Sequence, residues 1–211
     1  MVKNTIIVKY LYRMTHIDNV PHILRYGITH RLSLNANQNY IPIGDSSIIN
    51  KRNNKVNQTI DGQEFCTGDY IPFHFYARMP MLFNIQKGYG VKPVNAEDIV
   101  YLIISIDAII NEPSREYIFS DAHAISKIAK FYGPQHITDI DHLLDIDSIK
   151  SFQWSDDYIK KERKQAEFLI KGDIPVDYIE MMCCYSQKVK EKLIGMGAKM
   201  RIVVSPKMAY Y

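Results

Sequence analysis

The order of apolar and polar residues along the chain predicts a series of short elements. Thr5 to Tyr12 is rich in β-branched and aromatic residues and predicts a strand. Asp18 reads as a helix N-cap ahead of Val20, Ile23 and Leu24 at helical spacing, with Gly27 as the stop. Residues 31–68 change character: seven Asn between Asn35 and Asn57 accompany Lys51, Arg52 and Lys55, with few large apolar side chains. This predicts a long polar loop holding one short helix near Ser46 to Asn50, and long loops in compact domains are either functional or disordered. Tyr70 to Tyr76 predicts a strand running to Ala77, with Phe73 and Phe75 on one face. Ile99 to Ile104 is uninterruptedly apolar, the pattern of a central strand covered on both faces. A short strand is expected over Glu116 to Phe119. A helix is expected over Ala122 to Tyr132, capped by Asp121 or Ser120. A short helix follows within Ile137 to Ile149, then a charged helix or turn over Asp156 to Gln165. Ala166 to Ile170 and Val176 to Tyr185 read as strands. Ser186 to Gly195 reads as an amphipathic helix with Val189, Leu193 and Ile194 inward, and Met200 to Val204 as a last strand. The sum is an α+β domain with five to seven strands, one domain over residues 1–211.

Composition narrows the class. With 211 residues, 46% hydrophobic and 23% charged, the chain has a globular balance. A formal charge of +3 announces no broad basic face, though a local patch is still allowed. Cys66, Cys183 and Cys184 show neither a CxxC nor a Cys/His metal spacing, and read as thiols of a reducing compartment. The first apolar run is too short for a signal-peptide core or a membrane span, so a cytoplasmic location is expected. The 15 Tyr are the one unusual count.

No GxGxxG, GxxxxGK[ST], HExxH or GxSxG motif occurs, and the His spacings do not suit a metal. Four segments put polar groups among apolar ones: Tyr12 to Asn19, Asp69 to Leu82, Asp121 to Ala124, and Arg163 to Ile170. In the last, strand alternation sets Ala166, Phe168 and Ile170 on one face and Glu167 and Leu169 on the other. A carboxylate at a strand edge and aimed into a cleft is a candidate functional group.

In this order and spacing the segments resemble the DarT family, the DNA ADP-ribosyltransferase toxins of DarT–DarG toxin–antitoxin systems. The resemblance rests on Tyr12 to Asn19 with Pro21 to Gly27, Ile43-Gly44, Lys51-Arg52, Tyr70-Ile71-Pro72-Phe73 running on to Arg78 and Pro80-Met81-Leu82, Asp121-Ala122-His123-Ala124, and Arg163 to Leu169. It spans nearly the whole chain. It implies an ADP-ribosyltransferase fold, a split mixed β-core with flanking helices and an NAD cleft, and a polar NAD- and DNA-contacting loop over about 31–68. It implies transfer of ADP-ribose from NAD to a base of single-stranded DNA, most often thymine, and a DarG-type macrodomain antitoxin as partner. By matched position it implies Glu167 as the catalytic glutamate and Arg52 as the loop arginine near base and ribose. It implies cofactor contacts at Thr15, His16, Gly27, Arg78 and His123.

The residue types suit that chemistry. Nicotinamide leaves from a cationic ring and needs no acid. The ribose gathers positive charge, which a carboxylate at Glu167 stabilises. The acceptor nitrogen loses a proton to Glu167 or to a His, and Arg52 favours the anion by its charge. A duplex hides the base edge, so a single strand is the expected substrate. Tyr40, Tyr70 or Tyr76 offer a face for stacking, and Lys150 to Lys164, with Trp154 and Arg163, is expected to help read the DNA. Two rival functions remain: the same fold acting on guanine in DNA, RNA, protein or water, and a silent nucleotide-binding module.

Overall fold

In the computed structural model, residues 8–54, 56–60 and 62–211 are described. The strands are β1 (Tyr10–His16), β2 (Val56–Ile60), β3 (Gln63–Cys66), β4 (Tyr70–His74), β5 (Ile99–Ser105), β6 (Tyr117–Ser120), β7 (Phe131–Tyr132), β8 (Glu167–Lys171), β9 (Ile179–Cys184) and β10 (Arg201–Val204). The helices are α1 (Val20–Tyr26), α2 (Ser46–Asn54), α3 (Pro80–Lys87), α4 (Ile106–Ile110), α5 (Ile140–Leu143), α6 (Ile146–Lys150), α7 (Tyr158–Arg163), α8 (Gln187–Gly195) and α9 (Pro206–Ala209). Eight strands form one sheet in the order β10-β9-β5-β1-β4-β8-β6-β7, and β2 and β3 form a separate hairpin. β9 and β10 run parallel and the other ladders of the large sheet antiparallel, so the sheet is mixed and the class α+β.

The unbroken apolar run of β5 lies third from one edge, covered on both faces. Alternation sends Val100, Leu102 and Ile104 into one core and Ile99, Tyr101 and Ile103 into a second. The first core runs the width of the sheet and includes Leu11, Phe73, Phe168 and Ile170. The opposite face is covered in two separate patches. One packs Met14, Ile43, Met79 and Leu82 over β1 and β5. The other packs Tyr70, Ile118, Ala124 and Leu169 over β4, β6 and β8.

Between those patches the sheet splits. β1 pairs with β5 over its whole length, and β4 with β8 over its whole length, but β1 and β4 meet only at Tyr12 and His74. Beyond that point the strands diverge. Pro72 faces the gap with no N–H to donate, and the Arg13 guanidinium (Nη1) spans it to the Pro72 carbonyl at 2.9 Å. A split mixed β-core, expected from the family resemblance, is what the strand pairing forms.

Several local expectations are corrected. The first strand runs Tyr10–His16; residues 5–7 of the expected strand lie outside the described residues. His16, not Asp18, caps the turn after it, its Nδ1 accepting from the Asp18 N–H at 3.2 Å. The helix expected near Ser46 extends to Asn54, and the rest of the polar loop holds the β2–β3 hairpin, which its weak alternation did not signal. The strand from Tyr70 stops at His74, short of Ala77. Ala122 to Tyr132 is not a helix but a run of turns ending in β7. Ser120 and Asp121 are good caps, yet here the Ser120 hydroxyl donates to the Ala122 carbonyl and the Asp121 carboxylate accepts from the Lys130 N–H. These local bonds compete with helix formation. Ile194 faces solvent, 54% exposed, because α8 buries only its Val189 and Leu193 stripe. The chain continues past its last strand into α9.

Candidate active site

Glu167 opens β8, and alternation turns it to the face opposite Phe168, onto the floor of the split. Its side chain is fully buried. One carboxylate oxygen, Oε2, accepts from Arg52 Nη1 at 2.6 Å; the other, Oε1, accepts from the Ala124 N–H at 3.0 Å. His123 Nε2 stands 3.8 Å from Oε1. Burial by itself raises a carboxyl pKa, but Arg52, His123 and His74 around it, and the Arg52 hydrogen bond, override burial and bring it down to about 2. Burial brings His74 down to about 4 and lowers His123. Both imidazoles are therefore neutral at neutral pH, and Arg52 is the standing countercharge.

Arg52 comes from the Asn-rich segment and is held by its backbone. Its carbonyl accepts from the Cys66 thiol at 3.3 Å, and Gly68 passes so close that a Cβ there would lie 2.7 Å from that carbonyl and 2.8 Å from Asn53 Cα. The hairpin and the following turn thus clamp the end of α2, and the guanidinium reaches in from there. Its Nη2 is buried with no hydrogen-bond partner among the described residues, a donor left over for a ligand.

A strap, residues 40–44, crosses the split. Asn19 is buried and grips it twice, donating from Nδ2 to the Ile41 carbonyl and accepting at Oδ1 from the Ile41 N–H, both at 2.9 Å. Thr15 Oγ1 accepts from the same Nδ2 at 3.1 Å. Around the strap lie three connected hollows. The central one, about 140 Å³, is lined by Glu167, Arg52, His74, His123, Arg13 and Tyr40, among others. One neighbour shares Tyr40, Arg52 and Pro72 and extends to His30; the other shares Pro42, Ile43 and Gly44 and extends to His16.

The fold therefore brings Glu167, Arg52, His123 and Tyr40 to one cleft and leaves His16 across the strap from them. Thr15 is buried behind the wall and acts through Asn19. Gly27 lies outside the cleft: its φ is +80°, and a Cβ would sit 2.2 Å from the Ile174 carbonyl, so its place is set by close backbone approach. Arg78, Tyr76 and Trp154 do not line the central hollow either. The Arg78 guanidinium carbon lies 4.8 Å from the ring centre of Phe152 and 4.3 Å from that of Tyr211. Trp154 donates to the Tyr211 hydroxyl at 3.1 Å and packs on Phe83, while Lys164 Nζ lies over Tyr76. Arg163 pairs with Asp145 at 3.2 Å. These rings and cations form a cluster beside the cleft, joined to it by α3, which carries Met81 on one side and Phe83 on the other. Sequence reasoning missed Arg13, Asn19, the bonding role of Ala124 and His74. The last stands opposite Glu167 in the β4–β8 register, a pairing that no local pattern reveals.

The low His74 pKa has a measurable consequence. The unfolded chain binds the proton near 6.5 and the folded chain only near 4, so this contribution to stability is present above 6.5 and is lost as pH falls through 4. The difference amounts to about 3 kcal/mol. Urea denaturation from pH 7.5 to 4.5 is expected to follow this fall in the natural chain and a flatter course in His74→Gln.

Among the described residues no helix is long and apolar enough to cross a membrane, and no group of three or more His, Cys, Asp or Glu could hold a metal ion. A split mixed sheet with a buried, ionised Glu at the start of a strand and an Arg upon it is the arrangement that the family resemblance implies for an ADP-ribosyltransferase, a class that takes NAD. The family model for the ssDNA thymidine ADP-ribosyltransferase DarT matches residues 12–211, and this chain belongs to that family. It is 33% identical over 187 residues to a DNA ADP-ribosyl transferase of Thermus sp. (strain 2.9), covering 87% of this chain and 85% of the relative. The structure of Thermus sp. 2.9 DarT in complex with ADP-ribosylated ssDNA superposes with TM-score 0.84 and 27% identity over 100% of both chains. The structure of the same protein in complex with NAD+ gives 0.78 over 98% and 99%. A DNA ADP-ribosyl transferase-DNA ADP-ribosyl glycohydrolase fusion protein of Thermosipho africanus is 26% identical over 189 residues, 87% of this chain and 44% of the fusion. The chain is thus an NAD-dependent DNA ADP-ribosyltransferase.

Proposed function

We propose that this chain transfers ADP-ribose from NAD to thymine in single-stranded DNA and releases nicotinamide, within one domain over residues 1–211. The observation that carries the reading is the fully buried, ionised Glu167 held by Arg52 in the split of the sheet. As the ribosyl–nicotinamide bond opens, Glu167 stabilises the positive charge on the ribose and accepts from a ribose hydroxyl. Arg52, with its spare Nη2, faces the incoming base and favours the imide as it loses its proton. The Ala124 N–H holds the carboxylate's second oxygen with His123 beside it, Tyr40 offers a face to a ring, and His16 holds the far end of NAD across the strap. The cluster of Arg78, Phe152, Trp154 and Tyr211 holds the nucleotides beside the target by stacking and charge, which suits a short single strand and a chain of charge +3. A DarG-type macrodomain that removes the modification is the partner, and the site of action is the cytoplasm.

Incubation with NAD and thymine-only or guanine-only oligonucleotides, read by mass spectrometry, tests this. An ADP-ribose adduct is expected on the thymine strand. NAD consumption with no adduct on either strand would replace the reading with a glycohydrolase or another acceptor.

A further inference from the structure

Transfer to an imide nitrogen frees a proton, and a group in the cleft has to receive it. Arg13 and Arg52 are cations and cannot. Both oxygens of Glu167 are engaged, and the carboxyl is a very weak base. Asp45 is held by the N–H groups of Ser47 and Ile48 at the start of α2. Gln165 carries no basic atom, and His123 turns its Nε2 toward Glu167.

His74 differs from all of these. It lines the central hollow and is 9% exposed. In the β4–β8 register it stands opposite Glu167, so both side chains project from the same face of the sheet. Its Nδ1 is buried with no hydrogen-bond partner among the described residues. A buried lone pair without a donor is costly, and a ligand N–H relieves the cost.

We propose that His74 Nδ1 receives the proton of the acceptor imide during transfer. The proposal rests on the reading given under Proposed function. The imide N–H bond breaks and its proton passes to Nδ1. The electron pair left on nitrogen forms the bond to the ribosyl carbon. The bond from that carbon to nicotinamide breaks with its pair going to the nicotinamide nitrogen, which leaves neutral. The imidazolium gives the proton to water as product departs, so each transfer releases one proton.

A weak base is sufficient, because the imide hydrogen becomes strongly acidic once its nitrogen begins to bond to the ribose. The groups that face His74 set its range. Glu167 favours its protonated form, while burial, His123 and Arg52 disfavour it, so the ring keeps its lone pair down to about pH 4.

The test is single-turnover transfer to a thymine oligonucleotide at saturating NAD, by the natural chain, His74→Gln and His74→Phe, with NAD affinity measured by calorimetry. Both variants are expected to bind NAD like the natural chain and to transfer about 10²-fold more slowly or worse. Placing 5-fluorouracil, whose imide is more acidic, at the target is expected to restore a large part of that loss in the variants and to change the natural chain little. Transfer at the natural rate, a loss that 5-fluorouracil leaves intact, or loss of NAD binding in both variants would each overturn the role of His74. Failure of the natural chain to modify thymine would instead overturn the functional reading beneath it.

Discussion

Glu167→Gln is expected to reduce transfer to DNA by about 10²–10³-fold or more, measured as adduct formed per turnover. Gln keeps the shape and can still accept from the Ala124 N–H, so the loss reports the missing charge and not a missing wall. The charge matters because the ribose becomes cationic in a site from which water is largely excluded, where a fixed carboxylate acts more strongly than it would in solvent. NAD binding is expected to change far less than the rate, since the charge develops only as the bond opens. The variant also leaves Arg52 as a nearly buried cation facing an amide, so its melting temperature is expected to fall as well. A variant that kept its full rate would remove Glu167 from the chemistry.

Arg52→Met is expected to have the second largest effect, and for a separable reason. It strips a fully buried carboxylate of its countercharge, and breaking one side of such a pair costs about 3–5 kcal/mol. With Arg52 gone, burial raises the Glu167 pKa, so part of the carboxyl takes up a proton near neutral pH and the rate falls with it. Activity in Arg52→Met is therefore expected to rise with pH across the neutral range, whereas the natural chain, with its carboxyl near 2, is expected to lack that limb. The double variant Arg52→Met with Glu167→Gln is expected to regain most of the lost stability and none of the activity. If stability stayed as low as in the single variant, the two side chains would not be acting as a pair.

How far the site was legible can be argued residue by residue. Glu167 was legible because a carboxylate inside Ala166 to Ile170 contradicts its neighbours unless the strand has one face in a cleft. Alternation then placed Phe168 in the core and Glu167 away from it, as the sheet confirms. The central strand was legible for the same reason: Ile99 to Ile104 has no polar face, so both faces had to be covered. Arg52 was reached through resemblance alone. Its segment looks solvated, and what buries it is the approach of Gly68 and the hairpin, a contact between stretches whose own composition is polar. The turns after Ser120 were misread because Ser and Asp serve helix caps and turns equally well. Arg78 was expected at the cofactor through the resemblance alone; an Arg among aromatic residues needs a partner, but nothing local says which. It has partners, but they are Phe152 and Tyr211, and Tyr211 lies at the far end of the chain.

By itself, the sequence determined the periodicities: which stretches extend, which coil, which face of each is apolar, and where a polar residue is out of keeping with its surroundings. Those are properties of a residue and its near neighbours, and they sufficed for the α+β class, the central strand and Glu167. Tertiary structure decided what meets across the sheet. The single meeting point of β1 and β4 opens the cleft, the pairing of β4 with β8 sets His74 against Glu167, and the clamp on α2 delivers Arg52. Each joins residues dozens of positions apart, and strand order and register, which arise only when the whole sheet closes, set those distances.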